Sequence, residues 1–95
     1  MDYSLEKNGK TLVAHLKGSL NAATAPKLEE ELVTHLDGIE ALVIDLAELE
    51  SISSLGLRVL LTLYRHMEKQ GSMRVENARG NVAEVFDVTG FAAIF

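Results

Sequence analysis

The chain of 95 residues contains no cysteine, which excludes a disulfide framework, a thiolate metal site and a cysteine nucleophile together. No apolar stretch approaches the roughly 20 residues needed to span a bilayer. The start, Met1-Asp2-Tyr3-Ser4, lacks the basic residues and apolar run of a signal peptide. A soluble, cytoplasmic protein without membrane attachment is the expectation. Lysine and arginine form no run: 9 basic residues face 14 acidic ones, for a net charge of −5. Affinity for a phosphate backbone comes mainly from clustered cations, so direct nucleic-acid binding is not expected.

The signatures of several enzyme classes are missing too. There is neither a glycine-rich phosphate loop nor a dinucleotide fingerprint. His15, His35 and His66 lie far apart, without the i, i+4 pairing of a helical zinc site, and read as surface residues, so no metal or cofactor is expected. The serines of Ser51-Ile52-Ser53-Ser54-Leu55-Gly56 lack the G-x-S-x-G elbow of a hydrolase, and nothing local supplies a base. An enzyme using Ser54 is thus the weakest of the functional readings. No repeat, low-complexity tract or linker divides the chain.

What is present is ordinary globular composition, 47% hydrophobic and 24% charged, at a length that suits one domain over residues 1–95. Tyr3 to Lys7 and Thr11 to Lys17 are short β-like runs flanking Asn8-Gly9, a dipeptide suited to a tight hairpin. Leu12, Ala14 and Leu16 alternate with Thr11, His15 and Lys17, giving one buried face and one exposed face. Ala25, Leu28, Leu32 and Leu36 mark an amphipathic helix, which Pro26 fits only in its first turn. Glu29, Glu30 and Glu31 then read as a solvated feature of that first turn, complementing the helix dipole. Leu42, Val43, Ile44 and Leu46 form a nearly unbroken apolar run, as in a buried central strand. Asp45 interrupts it and needs hydrogen bonds or a place at the strand's exit; it is read as structural, with a role in orienting Ser54 as the lesser alternative.

The segment from Leu49 to Gly71 organises the rest. A polar turn, Ser51 to Ser54, opens into a helix with Leu57, Leu60, Leu61, Tyr64 and Met67 on one stripe and Arg58, Thr62, Arg65, Glu68 and Lys69 opposite. Ser54 suits the N-cap, and Gly71 a stop. Beyond it come a strand over Met73 to Ala78, a helix over Asn81 to Val88 with Asn81 and Glu84 spaced as a capping box, a closing Gly90, and an apolar run, Phe91 to Phe95, that can add a final strand. The order is β-β-α-β-α-β-α-β: an α/β domain whose mixed sheet begins with an antiparallel hairpin and carries helices packed on it.

The stretch Val43 to Leu61, VIDLAELESISSLGLRVLL, resembles the signature of STAS domains that act as anti-sigma factor antagonists. There a strand ending in D-L, here Asp45-Leu46, runs through a loop to a serine and a G-L at a helix start. Gly18 to Leu32 is similar to the family's G-x-L-D followed by a helix, and Asp87 to Phe95 to its ending, so the resemblance covers the chain end to end. It places the phosphoacceptor on Ser54. Ser53 and Asn21 stand where the family has acidic residues, and Leu55 where it has a small one.

The resemblance implies a binding module and not an enzyme. Unphosphorylated, it would bind an anti-sigma factor of the serine kinase type and so release a sigma factor. Phosphorylation of Ser54 would switch it off, and a metal-dependent serine phosphatase would reset it. Any role in transcription then passes through another protein. The contact rim would comprise Asn21, Ser53, Ser54, Leu55, Gly56, Arg58 and Thr62, with Thr62 equally readable as plain surface. The alternative is a constitutive STAS interaction subunit that is never phosphorylated, for example in a lipid-transport ATPase complex.

Overall fold

The computed structural model describes all residues from Met1 to Phe95. β1 (Asp2–Asn8) and β2 (Thr11–Leu20) form the expected antiparallel hairpin. Its turn sits one residue later than the Asn8-Gly9 reading. Asn8 pairs with Thr11, leaving Gly9 and Lys10 as the loop, and Gly9 takes φ 62° while Asn8 stays in the ordinary range. A positive φ at the first central residue alone is the pattern of a II′ turn, which glycine satisfies without strain.

α1 (Ala25–Thr34) then crosses to β3 (Ala41–Ile52), α2 (Ser54–Glu68) to β4 (Ser72–Glu76), and α3 (Gly80–Thr89) follows. The strands lie side by side in chain order, with β2, β3 and β4 mutually parallel. Each helix contributes to a cluster of 22 buried residues, together with Leu12, Ala14 and Leu16 of β2 and Leu42, Ile44 and Leu46 of β3. The helices therefore cover one face of the sheet. The other presents Ser4, Glu6, His15, Lys17, Asp45, Arg74 and Glu76, with Val43 buried among strands but apart from the main cluster.

Four expectations are corrected. The final strand is absent: Gly90 turns the chain at φ 80°, Phe91–Ala93 form a single 3₁₀ turn, and the sheet ends at β4. Phe95 instead stacks on side chains of the helical layer, 5.6 Å from Tyr64 and 6.0 Å from Phe86 between ring centroids. A five-residue apolar run has no periodicity long enough to tell strand from turn. The Asn81 capping box does not form either, because α3 begins one residue earlier, after Arg79, and has no side-chain cap. Since α1 starts at Ala25, the three glutamates fall beyond its first turn. Gly71 does follow the end of α2, its N–H donating to the Met67 carbonyl at 2.7 Å, and close approach requires it there, since a Cβ would lie 1.9 Å from the Glu40 carbonyl oxygen. On α2 the buried stripe takes in Val59 and Leu63, leaving Leu61 and Tyr64 half-buried.

Candidate functional site

β3 runs well beyond the apolar stretch that first marks it, with register shifts at 15/17 and 18/19 of β2 that let both strands bend. Leu20 thereby ends opposite Ile52, and the Ser53 N–H donates to the Leu20 carbonyl at 2.9 Å. Ser51 Oγ donates to Ser19 Oγ at 2.8 Å across the same pair. These links place the Asn21 loop beside the start of α2. The Asn21 side-chain oxygen accepts the Ala23 N–H at 2.9 Å, and its own N–H donates to Thr24 Oγ1, so the side chain is committed to shaping its turn.

The N-cap of α2 is Ser53, not Ser54. Ser53 has extended backbone, and its Oγ accepts the Gly56 N–H at 3.3 Å. Ser54 is the first helical residue, exposed, with no hydrogen-bond partner for its hydroxyl in the fold. The cap role assigned to Ser54 on sequence thus falls to the adjacent Ser53, which leaves the Ser54 hydroxyl free.

Leu55 is 42% exposed. With Arg58, Val59 and Thr62 it forms one wall of a groove of about 270 Å³, whose other wall is Ala25, Pro26 and Glu29 of α1. Thr62 Oγ1 donates to the Arg58 carbonyl. Asn21, Ser53, Ser54, Leu55, Arg58 and Thr62 therefore lie on or beside one surface. Gly56 is the exception among the expected contacts. It is buried, and a Cβ there would meet the Leu20 carbonyl oxygen at 2.7 Å, so it works as a spacer that lets α2 seat on β2. The α1 wall was missed on sequence because no local pattern reports which helices will lie side by side.

A second polar constellation occupies the open face of the sheet. Parallel pairing sets His15 opposite Asp45, and His15 Nδ1 donates to Asp45 Oδ2 at 2.7 Å while Nε2 donates to Glu6 Oε1 at 2.8 Å. Ionised carboxylates only accept, so the two contacts favour the doubly protonated ring. The hydrogen bonds to Glu6 and then Asp45 raise the His15 pKa above its ordinary value. Asp45 also accepts from Asn77 Nδ2 at 2.8 Å and the Ala47 N–H at 3.0 Å. The Asn77 bond, followed by His15 and the Ala47 N–H, holds its carboxyl below the usual range against the opposing effect of burial. His15 is thus an ion-pair residue and not plain surface. Asp45 is structural, as expected; eight residues of strand at about 3.3 Å each separate it from Ser53, too far to orient Ser54.

The sequence profile of the STAS domain matches residues 2–95. The chain belongs to the STAS domain family. It is 38% identical to a putative anti-sigma factor antagonist, BtrV of Bordetella bronchiseptica, over all of this chain and 84% of the relative. Among solved structures, an anti-sigma factor antagonist from Mycobacterium paratuberculosis superposes with a TM-score of 0.89 at 27% identity, over 99% of this chain and 81% of the other. The anti-sigma factor antagonist SpoIIAA in its unphosphorylated form superposes at 0.86 and 20% identity, over 97% and 84%, which shows a shared fold.

In this STAS domain the first turn of α2 carries no acidic side chain. The hydroxyl of Ser54 makes no hydrogen bond within the fold.

Proposed function

We propose that this STAS domain is an anti-sigma factor antagonist, a cytoplasmic binding module switched by phosphorylation of Ser54. In its unphosphorylated form it binds an anti-sigma factor of the serine kinase type, which releases a sigma factor. The kinase transfers the γ-phosphoryl of its own ATP to Ser54 Oγ, with loss of the hydroxyl proton and release of ADP. A metal-dependent serine phosphatase hydrolyses the ester and restores the binding form. The observation that carries the reading is the exposed, unbonded Ser54 hydroxyl beside the exposed Leu55 and Arg58, with the capping task left to Ser53.

The physics suits a switch that spares the fold. A phosphoserine brings about 1.5 to 2 negative charges to a helix start, where the dipole and free N–H groups favour them. Against a docked partner the same dianion costs several kcal/mol unless cations meet it, enough to change affinity by orders of magnitude. Asn21, Ser53, Leu55, Arg58 and Thr62 form the contact rim in this reading, and Gly56 supports it from beneath.

A constitutive, unphosphorylated interaction subunit is the second reading. It draws on Asn21 and Ser53, whose neutral side chains are engaged in local hydrogen bonds and supply no carboxylate beside Ser54. Titration of the partner kinase with Ser54→Ala and Ser54→Asp separates the two. The switch requires Ser54→Ala to bind as the parent does and Ser54→Asp to bind at least about tenfold more weakly. Equal affinities would refute the switch and leave the constitutive subunit.

A further inference from the structure

Arg58 lies one helical turn beyond Ser54, at i+4, where Cβ atoms on a helix are about 5 to 6 Å apart. Side chains on a helix lean toward its N-terminus and cover the preceding turn, so the guanidinium sweeps the surface around Ser54. Arg58 is exposed and pairs with no carboxylate within 4.0 Å, although Glu29 lines the same groove; Lys7, Arg65, Lys69 and Arg79 are also without such a partner, but none of them lines the groove beside the start of α2. Among the residues lining that groove, Arg58 is the sole cation and Glu29 the sole anion. An unpaired guanidinium beside the phosphoacceptor has a fork of donors matched to phosphate oxygens.

We propose that Arg58 is the internal counter-charge of phosphorylated Ser54, folding back onto the phosphoryl group and leaving the groove between α1 and α2. The inference rests on the phosphoacceptor reading of Ser54 and adds a second consequence of modification. In the unmodified domain Arg58 borders the groove and is free to meet an acidic group on the anti-sigma factor. After phosphorylation the partner meets a phosphoryl group that Arg58 only partly neutralises, leaving about one negative charge, and it also loses that cation. One event thus removes an attraction as it adds a repulsion, without rearranging the fold.

The test uses the full chain with phosphoserine installed at position 54 during synthesis, so its outcome does not depend on whether a kinase modifies the site in cells. The second ionisation of the phosphoryl group is followed by ³¹P NMR across pH in the parent phosphoprotein and in Arg58→Gln. An adjacent guanidinium favours the dianion, so the parent midpoint should lie about half a pH unit below that of Arg58→Gln. Arg65→Gln, which removes a charge from the same helix nearly two turns further on, should leave the parent midpoint in place. Coincident midpoints for parent and Arg58→Gln would overturn the proposal. An equal displacement by Arg65→Gln would overturn it too, because the effect would then be general charge. Failure here leaves Ser54 as phosphoacceptor intact; failure to find Ser54 modified in cells leaves the pairing intact but without a biological use.

Discussion

Replacing Gly56 with alanine tests how the start of α2 is seated. The added Cβ would stand 2.7 Å from the Leu20 carbonyl oxygen and 2.9 Å from both Leu20 Cγ and Ile52 Cγ1, where ordinary contact begins at 3.4 Å. The first turn of α2 must retreat by about 0.5 to 0.7 Å to restore contact distances. That oxygen also accepts the Ser53 N–H at 2.9 Å, and the Gly56 N–H to Ser53 Oγ bond is already 3.3 Å long, so the retreat stretches or breaks both. Overpacking costs about 1 to 3 kcal/mol and a lost hydrogen bond about 1. The better helix propensity of alanine returns about 1 kcal/mol. The net is a loss of about 2 kcal/mol, which for a domain of this size lowers Tm by roughly 8 to 16 °C. Thermal and urea unfolding followed by circular dichroism read it directly. A Tm unchanged or higher in Gly56→Ala would refute the claim that this glycine is required by close approach.

Ser53→Ala should cost about 1 kcal/mol through the lost cap, whereas Ser54→Ala should be neutral or slightly stabilising; urea midpoints that rank the two in reverse would return the cap to Ser54. His15→Gln should cost less than about 1 kcal/mol, because the pair is partly screened by solvent, and the cost should depend on pH. With its folded pKa raised, His15 contributes stability that is fully present below its ordinary value and lost as pH rises through the raised one. Asp45, with its pKa lowered, contributes stability present above the ordinary carboxylate range and lost as pH falls through the lowered value. The parent should therefore exceed His15→Gln in urea midpoint most at a pH below the ordinary histidine value, with the gap narrowing as pH rises through the raised one; a pH-independent gap would show that folding does not raise the His15 pKa. Phe95→Ala removes contacts with Tyr64, Phe86 and Phe91 and should destabilise by roughly 1 to 3 kcal/mol, a value that unfolding experiments near zero would contradict.

The elements with a period to report were legible in the sequence. The alternation in Leu12, Ala14 and Leu16, the apolar run of β3 and the stripe of α2 each name a buried face, and the hairpin and crossover lengths then fix a mixed sheet. Boundaries and caps were less so. Two adjacent serines compete for one N-cap, and the choice is made by the Leu20 carbonyl arriving from another strand to bind the Ser53 N–H. The His15 ion pairs were hidden for the same reason: Glu6, Asp45 and Asn77 become neighbours only through strand register and the chain's return after β4. The proposed phosphoacceptor position came from a motif, Asp45-Leu46 to Ser54-Leu55-Gly56-Leu57, and not from propensity. Its groove depends on how α1 and α2 lie together, which no window of sequence contains.

The central claim is that Ser54 is the switched residue. Intact mass with peptide mapping of the protein recovered from its own cells, in growth and under stress, tests it most directly. The account predicts one phosphoryl group, on Ser54, with an occupancy that changes between the two conditions. A chain unmodified at Ser54 in both, or modified only at Ser53, would contradict it.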